Sequence, residues 1–395
     1  MRVHFADETF DYQTLRATAY APYEGSSLGE CLATADRIKE GEFESWHTEW
    51  RRTADRVASE AERARDEGRD ETARGAFFRA HTYYRTAEFF LAGDDARRLP
   101  TYDRSRETFR AALDFLDTPV ETVELPFEDT AISGYLFAPD DSEEPRPTLV
   151  CLGGFDSIAE ELYFLCGVPA ALERGYACFI FDGPGQGDLL RYESMRARTE
   201  WETVVGPVLD FLETEPVVDA SNIALLGVSM GGFYAPRAAA FDDRVAACIA
   251  FDHCYDLWAA SAYGQEAVAS LFTYLPGALV NGVAALAARV DAGSRWQRQN
   301  AEWVFGTDMA GLLSTLKAYS LRDVAHRITC PTLALAGEDD HLIPLPLVYE
   351  FVDAIAGPTT LRVFEEHEGA ADHCQLGNLP LAHGVIYDWL DETLT

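Results

Sequence analysis

A serine in a glycine-flanked turn is the strongest chemical signal in this sequence. Ser229 is the central residue of GVSMG, residues 227–231, which follows the apolar run NIALL and precedes the run GFYAPRAAAF. These runs predict a buried strand and a helix, and strand–turn–helix is the setting in which G-x-S-x-G presents a nucleophile. The glycines permit a sharp turn that exposes the hydroxyl and leave room for neighbouring strands. We therefore predict that Ser229 is a nucleophile activated by a base and an acid.

Candidate acids follow the apolar run PTLALAG, which predicts a later strand. Glu338, Asp339 and Asp340 come directly after it, so all three carboxylates are candidates. Asp340 fits best, because it lies three residues after Gly337 and is followed by His-Leu-Ile-Pro, in a G-x-x-D-x-x-(V/I)-P pattern. Asp339 is the alternative acid, and its ordinary interpretation is a solvated loop charge.

The base is expected among four histidines near the carboxyl terminus. His341 adjoins the acid and would have to turn back onto it, whereas His383 lies in LAHGVIYDWL, which predicts a final amphipathic helix. His367 and His373 both follow the run LRVFEE, where a loop could reach Ser229. We predict His373, 33 residues after Asp340, because the base must reach both serine and acid, and keep His367 as the alternative.

Two backbone N–H groups are expected to bind the oxyanion. One is that of Met230, just after the nucleophile, and the other lies in the loop GGFDS after the first long parallel strand. Phe155 occupies the position that follows His-Gly in the more usual HGF form, so its N–H is the second predicted donor. The histidine of that form is absent here, which makes Gly154 a substitute candidate.

Two further segments are expected beside the cleft. Asp252 and His253 end the strand-like run VAACIAF, and either substrate contact or a structural hydrogen bond would explain them. The glycine-rich stretch DGPGQG, residues 182–187, invites comparison with a phosphate loop. It lacks GK[ST], and Pro184 removes a donor N–H, so we predict a tight turn instead.

The elements that must position these residues fall into two domains. Residues 1–118 have aromatic and aliphatic residues at helical spacing, as in RAHTYYRTAEFF, and predict a helical amino-terminal domain that contributes to the active-site cover. Residues 119–395 alternate strand-like and helix-length segments, which predicts an α/β fold with a doubly wound, mostly parallel sheet. The segment from about 256 to 320 exceeds a simple crossover and predicts a helical cap insertion.

Composition excludes several classes of partner. The chain has 395 residues with 66 Asp and Glu against 32 Lys and Arg, a net charge of −34, so neither nucleic acid nor an anionic membrane is an expected partner. The charge suits either a salty cytoplasm or a GC-rich codon preference. The least polar stretch, residues 271–290, is interrupted by Pro276-Gly277 and Asn281-Gly282, which argues against a membrane span.

The cysteines and the amino terminus point to a cytoplasmic protein without a metal site. Eight cysteines are scattered without any CxxC pair, and several lie in apolar runs such as TLVCLGG. They are expected to be small buried hydrophobic residues. The first residues, MRVHFADETF, lack the basic and apolar regions of a signal peptide.

Together these motifs resemble a known family. The helical amino-terminal domain with GGFDS, FDGPGQGD, GVSMGGFYAPRAAAFDDRV, GEDDHLIP and EGAADHCQ is similar to the 2,6-dihydroxypseudooxynicotine hydrolase and fungal polyketide-shortening (naphthopyrone) hydrolase group of α/β-hydrolases. The resemblance covers almost the whole chain and places the nucleophile, acid and histidine on Ser229, Asp340 and His373. It implies cleavage of a carbon–carbon bond next to a ketone, or removal of an acyl end from an aromatic polyketide.

Departures from the family lie where substrate is recognised. The family commonly has Glu where this chain has Asp156, and His253 and Cys254 replace smaller residues.

The function expected from the motifs and the resemblance is serine hydrolysis of a ketone- or acyl-bearing aromatic small molecule, without cofactor or metal. A carboxylesterase or thioesterase is the alternative, followed by a non-catalytic partner-binding protein. Dimerisation is another role for the amino-terminal domain, so a homodimer stays among the expected partners.

Overall fold

The computed structural model describes residues 1–142 and 144–394, which group into two compact units. The first, here called the helical unit, contains Met1–Asp117 and Gly282–Trp303; the second, the sheet unit, contains Thr118–Asn281 and Val304–Thr395. The amino-terminal segment of the helical unit ends at Asp117, whereas the domain expected from the sequence ends at residue 118. The expected cap of residues 256–320 is divided between the units, because Gly282–Trp303 groups with the helical unit.

The helices and strands follow the pattern expected from the sequence, with helices first and strands later. The helices are α1 (Glu8–Ala19), α2 (Leu28–Ala35), α3 (Phe43–Asp66), α4 (Asp70–Glu88), α5 (Arg98–Leu113), α6 (Ala159–Leu165), α7 (Val168–Glu173), α8 (Gly187–Arg191), α9 (Glu202–Leu212), α10 (Gly231–Ala239), α11 (Leu257–Ala262), α12 (Glu266–Phe272), α13 (Gly277–Val290), α14 (Ala292–Phe305), α15 (Met309–Ala318), α16 (Leu345–Ala354) and α17 (Leu379–Thr393). The strands are β1 (Val120–Phe127), β2 (Thr130–Phe137), β3 (Arg146–Leu152), β4 (Ala177–Phe181), β5 (Val218–Val228), β6 (Val245–Phe251), β7 (Thr332–Gly337) and β8 (Thr359–Phe364).

Aromatic packing forms the core of the helical unit. The indoles of Trp46 and Trp50 on α3 are fully buried, at 0% exposure. The Phe90 ring, just after α4, stacks on Phe43 at a centroid distance of 4.4 Å and on Phe10 at 4.9 Å. The apolar residues of these helices recur on one face, so antiparallel packing of α3 and α4 removes that face from water.

A helix distant in sequence completes this unit. On α14, the Trp296 ring stacks on Phe89 at 4.7 Å, and the Arg295 guanidinium lies 3.6 Å from the Phe43 ring centroid. An added Cβ on Gly93 would lie 2.5 Å from the Trp303 ring, so only glycine leaves room for that indole. These contacts explain why residues 282–303 group with the amino-terminal helices.

The sheet unit is built on one mostly parallel sheet. Among the described residues its strand order is β1-β2-β4-β3-β5-β6-β7-β8. The β1–β2 and β2–β4 pairs are antiparallel, and the pairs from β4–β3 to β7–β8 are parallel. Helix α10 packs on the central strands β5 and β6. This confirms the predicted α/β architecture.

The register of the central strands brings their carboxyl ends together. Val228 of β5 pairs with Phe251 of β6, and Phe251 pairs in turn with Leu335 of β7. Parallel strands end at the same sheet edge. Residues that follow different strands therefore meet at one place, although they are far apart in the chain.

Cysteine pairing and membrane-spanning helices are both absent from the described part of the chain. All eight cysteines are unpaired there, and each is buried except the half-buried Cys330. No helix within residues 1–142 and 144–394 combines the length and the low polarity that crossing a bilayer requires.

Candidate active site

The turn after β5 presents Ser229 as the sequence predicts. Its φ of 58° lies in the left-handed region, while its N–H donates to Phe251 O at 2.8 Å. A Cβ on Gly227 would lie 1.9 Å from Gly231 O, and one on Gly231 would lie 2.2 Å from Leu152 O. Both glycines are therefore required for the close approach of the turn, α10 and β3. The half-buried Ser229 side chain is held at the carboxyl edge of the sheet.

His373 joins Ser229 to Asp340. Its Nε2 lies 2.9 Å from Ser229 Oγ, and its Nδ1 lies 2.6 Å from Asp340 Oδ2. The side chains of His373 and Asp340 are only 3% and 1% exposed. Asp340 Oδ1 accepts the N–H groups of Leu342 (2.7 Å) and Ile343 (3.0 Å), which fixes the carboxylate. A hydroxyl, an imidazole and a carboxylate thus form a hydrogen-bonded chain, an arrangement in which a base can activate a nucleophile.

The electrostatics of this pair favour an ion pair. Burial alone would lower the pKa of His373, but the charges of Asp340 and Cys374 and the hydrogen bonds with them together outweigh burial and hold the pKa well above its usual value. Burial alone would raise the pKa of Asp340, but the imidazolium and its hydrogen bonds lower it. Asp340 therefore stays ionised and stabilises the positive charge that His373 gains when it accepts a proton.

The alternative residues lie elsewhere. Asp339 is exposed, and His367 has a 75% exposed side chain beside Glu365. His383 is buried on α17 with Nε2 3.0 Å from Leu165 O, and burial lowers its pKa to about 4. The exposed His341 has its ring 6.1 Å from that of His373, measured between centroids.

The expected oxyanion loop runs directly past Ser229. A Cβ on Gly154 would lie 3.1 Å from Ser229 Cβ and 3.3 Å from Met230 N. Phe155, the next residue, is half-buried and its ring stacks on Phe305 at 5.6 Å. Both predicted N–H donors, those of Phe155 and Met230, thus belong to segments that flank Ser229.

Gln186 holds the orientation of this loop, a role that sequence reasoning missed. Its Nε2 donates to Gly153 O at 2.6 Å and Gly154 O at 3.0 Å, and its Oε1 accepts the Gly183 N–H at 3.0 Å. The C=O and N–H of a trans peptide point in opposite directions. Because Gln186 draws the Gly154 carbonyl toward itself, the Phe155 N–H of the same peptide faces away from Gln186. The sequence signal that could have indicated this role is the glutamine within the glycine-rich DGPGQG turn.

The remaining expected contact residues occupy different environments. Asp252 is fully buried and accepts the N–H of Gly337 at 3.2 Å, which corresponds to the structural alternative. His253 is also fully buried, with its ring 4.1 Å from that of Phe351 on α16, and burial lowers its pKa to about 3. The side chain of Asp156 is half-buried in the turn after β3.

One buried cluster has the composition of a metal site. Ligand atoms of Asp252, His373 and Cys374 lie within 4.8 Å of one another. The imidazole nitrogen Nδ1 is already 2.6 Å from Asp340, and Asp252 accepts the Cys374 N–H. A metal bound to Nδ1 would have to displace Asp340, so we treat this group as a hydrogen-bonded cluster and assign no metal to it.

Comparison with known proteins identifies the family. The model of the esterase FrsA-like family matches residues 33–275. The chain is 35% identical to the hydrolyase poxO of Penicillium oxalicum, covering 90% of this chain and 89% of that protein. It is 34% identical to the 20-hydroxy-prefusarin hydrolase FUS2 of Gibberella moniliformis, covering 98% and 97%.

Solved structures extend the comparison. The crystal structure of 2,6-dihydroxy-pseudo-oxynicotine hydrolase matches with a TM-score of 0.75 and 27% identity, covering 95% of each chain. AbyA5 has the same fold at 17% identity, with a TM-score of 0.65 and coverage of 92% and 90%. The predicted resemblance is confirmed, and hydrolase relatives favour an enzyme over a partner-binding protein. The chain belongs to the esterase FrsA-like family and is a hydrolase with the α/β-hydrolase fold.

Proposed function

We propose that this hydrolase works through a covalent acyl-enzyme formed on Ser229. The observation that carries the proposal is the hydrogen-bonded sequence Ser229–His373–Asp340, with distances of 2.9 Å and 2.6 Å. A serine hydroxyl is a weak nucleophile unless a neighbouring base accepts its proton. In this arrangement His373 is that base and Asp340 orients it.

The proposed reaction has two halves. Ser229 Oγ attacks the substrate carbonyl carbon and its proton passes to His373 Nε2, while the N–H groups of Phe155 and Met230 bind the oxyanion. The tetrahedral intermediate then collapses, and the leaving group takes the proton from His373. Water, deprotonated by His373, attacks the acyl-enzyme, and a carboxylic acid leaves as Ser229 regains its proton.

An aromatic wall beside the oxyanion loop supports an aromatic substrate. The Phe155 ring stacks on Phe305, which contacts Tyr319 at a centroid distance of 5.4 Å, and Tyr319 contacts Phe233 at 5.2 Å. These rings belong to the sheet unit, and Phe155 adjoins Gly154 at the nucleophile. Tyr319 and Phe233 are buried at 2% and 0% exposure and form the core against which the half-buried Phe155 and Phe305 pack. A flat aromatic substrate would gain offset-stacked or edge-to-face contacts with Phe155 and Phe305. We propose a ketone- or acyl-bearing aromatic, polyketide-like small molecule.

Hydrolysis of a carbon–carbon bond is the preferred reaction for this substrate. Collapse of the intermediate would break the bond between the carbonyl carbon and a ring or enolate carbon, and that carbon would take the His373 proton. The names of two similar proteins, 2,6-dihydroxy-pseudo-oxynicotine hydrolase and 20-hydroxy-prefusarin hydrolase, motivate this choice. The esterase FrsA-like family favours the alternative, a carboxylesterase or thioesterase.

The two reactions can be separated with matched substrates. An aryl ketone with an ortho hydroxyl and the aryl ester of the same acyl group are each incubated in ¹⁸O-water. Carbon–carbon hydrolysis would place one ¹⁸O in the carboxylic acid and release the arene with a new C–H bond. Turnover of the ester alone would support the esterase. Ser229→Ala is the control and should process neither substrate.

A further inference from the structure

A second buried carboxylate holds the loop that carries His373. Asp252 follows β6 and is fully buried. It accepts the Cys374 N–H, the Gln375 amide at 2.9 Å and 3.1 Å, and the Gly337 N–H at 3.2 Å. Two of these donors belong to the residues directly after His373. The position of the imidazole therefore depends on Asp252 as well as on Asp340.

The backbone at both ends of this contact is in a conformation that residues other than glycine rarely adopt. Asp252 has a φ of 48°, while Cys374 and Gln375 have φ values of 57° and 45°. Such residues persist only where the surrounding structure holds them. The hydrogen bonds from Cys374 and Gln375 to the Asp252 carboxylate supply that restraint.

Asp252 also lies near the same ring nitrogen that Asp340 contacts. Its Oδ2 is 3.9 Å from His373 Nδ1, compared with 2.6 Å for Asp340 Oδ2. The longer distance excludes a direct hydrogen bond. It is short enough for a strong charge–charge interaction, because both side chains are almost completely removed from water.

This inference rests on the proposed triad. We propose that Asp252 is a positioning residue and the second carboxylate of His373: it holds the His373 loop, stabilises the imidazolium together with Asp340, and can accept the Nδ1–H when Asp340 is absent.

The groups that face Asp252 give this role a pH signature. Burial, and next the charge of Asp340, raise the pKa of Asp252 to about 7, against the effect of His373 and of the donors on Gln375 and Cys374. The thiols of Cys254 and Cys374 also titrate and interact electrostatically with Asp252. Loss of a negative charge beside an imidazolium lowers the pKa of the histidine.

The first test measures kcat and kcat/KM for p-nitrophenyl acetate against pH in the full-length protein. Asp252→Asn should lower kcat by roughly 10- to 100-fold and move the acidic limb of the profile to lower pH. The control is Glu160→Gln, a buried carboxyl on α6 that accepts the Tyr135 hydroxyl at 2.8 Å and should leave the limb unchanged. A slower Asp252→Asn with an unmoved limb would mean a merely structural role and overturn the proposal.

A second test does not depend on whether the single variant Asp252→Asn folds. Asp340→Ala leaves space for Nδ1–H to turn toward Asp252, so its residual activity should exceed that of Ser229→Ala by roughly 100-fold. If Asp340→Ala falls to the level of Ser229→Ala, Asp252 is not a second partner. Where Asp252→Asn/Asp340→Ala can be purified, it should fall to that lower level. An active Ser229→Ala would instead refute the proposed nucleophile, which keeps the two failures distinguishable.

Discussion

The helical and sheet units differ in where their backbones depart from ordinary conformations. Among the described residues of the helical unit, the non-glycine residue in the left-handed region is Glu24, in an exposed turn. Six described residues of the sheet unit have this conformation: Glu128 and Ser194 are exposed, whereas four lie together around His373, namely Ser229, Asp252, Cys374 and Gln375. Strained residues persist where surrounding contacts hold them, and they gather at functional sites. This difference between the two units supports the proposed active site in the sheet unit without reference to any sequence motif.

Their buried charges differ as well. In the helical unit Arg98 and Glu88 form a buried pair of opposite charges, with Arg98 Nε 2.9 Å from Glu88 Oε1. In the sheet unit acids lie beside acids: Asp252 near Asp340, and Asp182 near Glu160. Opposite charges hold each other in the charged form, whereas neighbouring acids raise the pKa of one of the two carboxyl groups, which suits proton transfer. Five experiments test the proposed site and these differences between the two units.

The largest effect is expected from Ser229→Ala. Because the triad acts as one unit, loss of the nucleophile should lower turnover of p-nitrophenyl acetate by about 10⁴- to 10⁶-fold. The melting temperature should stay near that of the wild type. Retention of more than a tenth of the activity would exclude Ser229 as the nucleophile.

Phe90→Ala should damage the helical unit without the same loss of chemistry. The Phe90 side chain is 2% exposed and contacts Phe10, Phe43 and Trp46, so its truncation should cost about 3–5 kcal/mol of unfolding free energy in urea. Turnover of p-nitrophenyl acetate by the folded fraction should be unchanged, since a small ester needs little positioning. A cost below about 1 kcal/mol would contradict the packing argument.

A matched pair of glutamine substitutions compares the units directly. Gln186→Leu should lower kcat by roughly 10²- to 10³-fold, with little change in KM, because the Phe155 N–H would no longer be held toward the oxyanion. Gln13→Leu makes the same change at a 4% exposed position on α1, and should leave kcat unchanged. Equal effects of the two substitutions on kcat would refute the role of Gln186.

The contrast in buried charge predicts different pH dependences of stability. Burial, followed by Glu160, holds the pKa of Asp182 well above its usual value. The folded state thus keeps a proton that the unfolded state releases near pH 4. The free energy of unfolding therefore falls as pH rises from about 4 toward the raised pKa of the folded state. Asp182→Asn should remove that slope in urea unfolding between pH 5 and 8.

Asp95 in the helical unit is the control, because its pKa is shifted in the opposite direction from that of Asp182. A hydrogen bond from Arg97 lowers the pKa of Asp95 to about 2, so its stabilisation is complete above pH 4 and lost only as pH falls toward 2. Asp95→Asn should therefore shift stability by a constant amount between pH 5 and 8. A change of slope in this variant, or none in Asp182→Asn, would contradict the assignment.

The smallest effect is expected from salt. If the net charge of −34 reflects adaptation to a salty cytoplasm, raising KCl to 1 M should screen the self-repulsion and increase the melting temperature. For a chain of 395 residues, a gain of about 1 kcal/mol corresponds to roughly 1 °C. A melting temperature independent of KCl would favour the codon-preference explanation.

Local sequence rules account for much of the architecture. Helical spacing predicted the amino-terminal helices, and apolar runs predicted the strands that form the mostly parallel sheet. The cap was harder to assign, because α14 has an amphipathic pattern that does not specify which apolar surface will cover it. Its contacts with Phe89 and Phe43 join segments more than two hundred residues apart.

By itself the sequence determined the turn at Ser229, because the spacing of Gly227 and Gly231 and the flanking strand and helix are contained within a few residues. Only the tertiary structure decided which acid and histidine meet that serine: Asp340 lies 33 residues from His373, and Ser229 lies 144 residues from it. The Asp252 contact with Cys374 spans 122 residues. Such pairings depend on the register of β5 to β8, and register is set by packing of the whole sheet rather than by any local pattern.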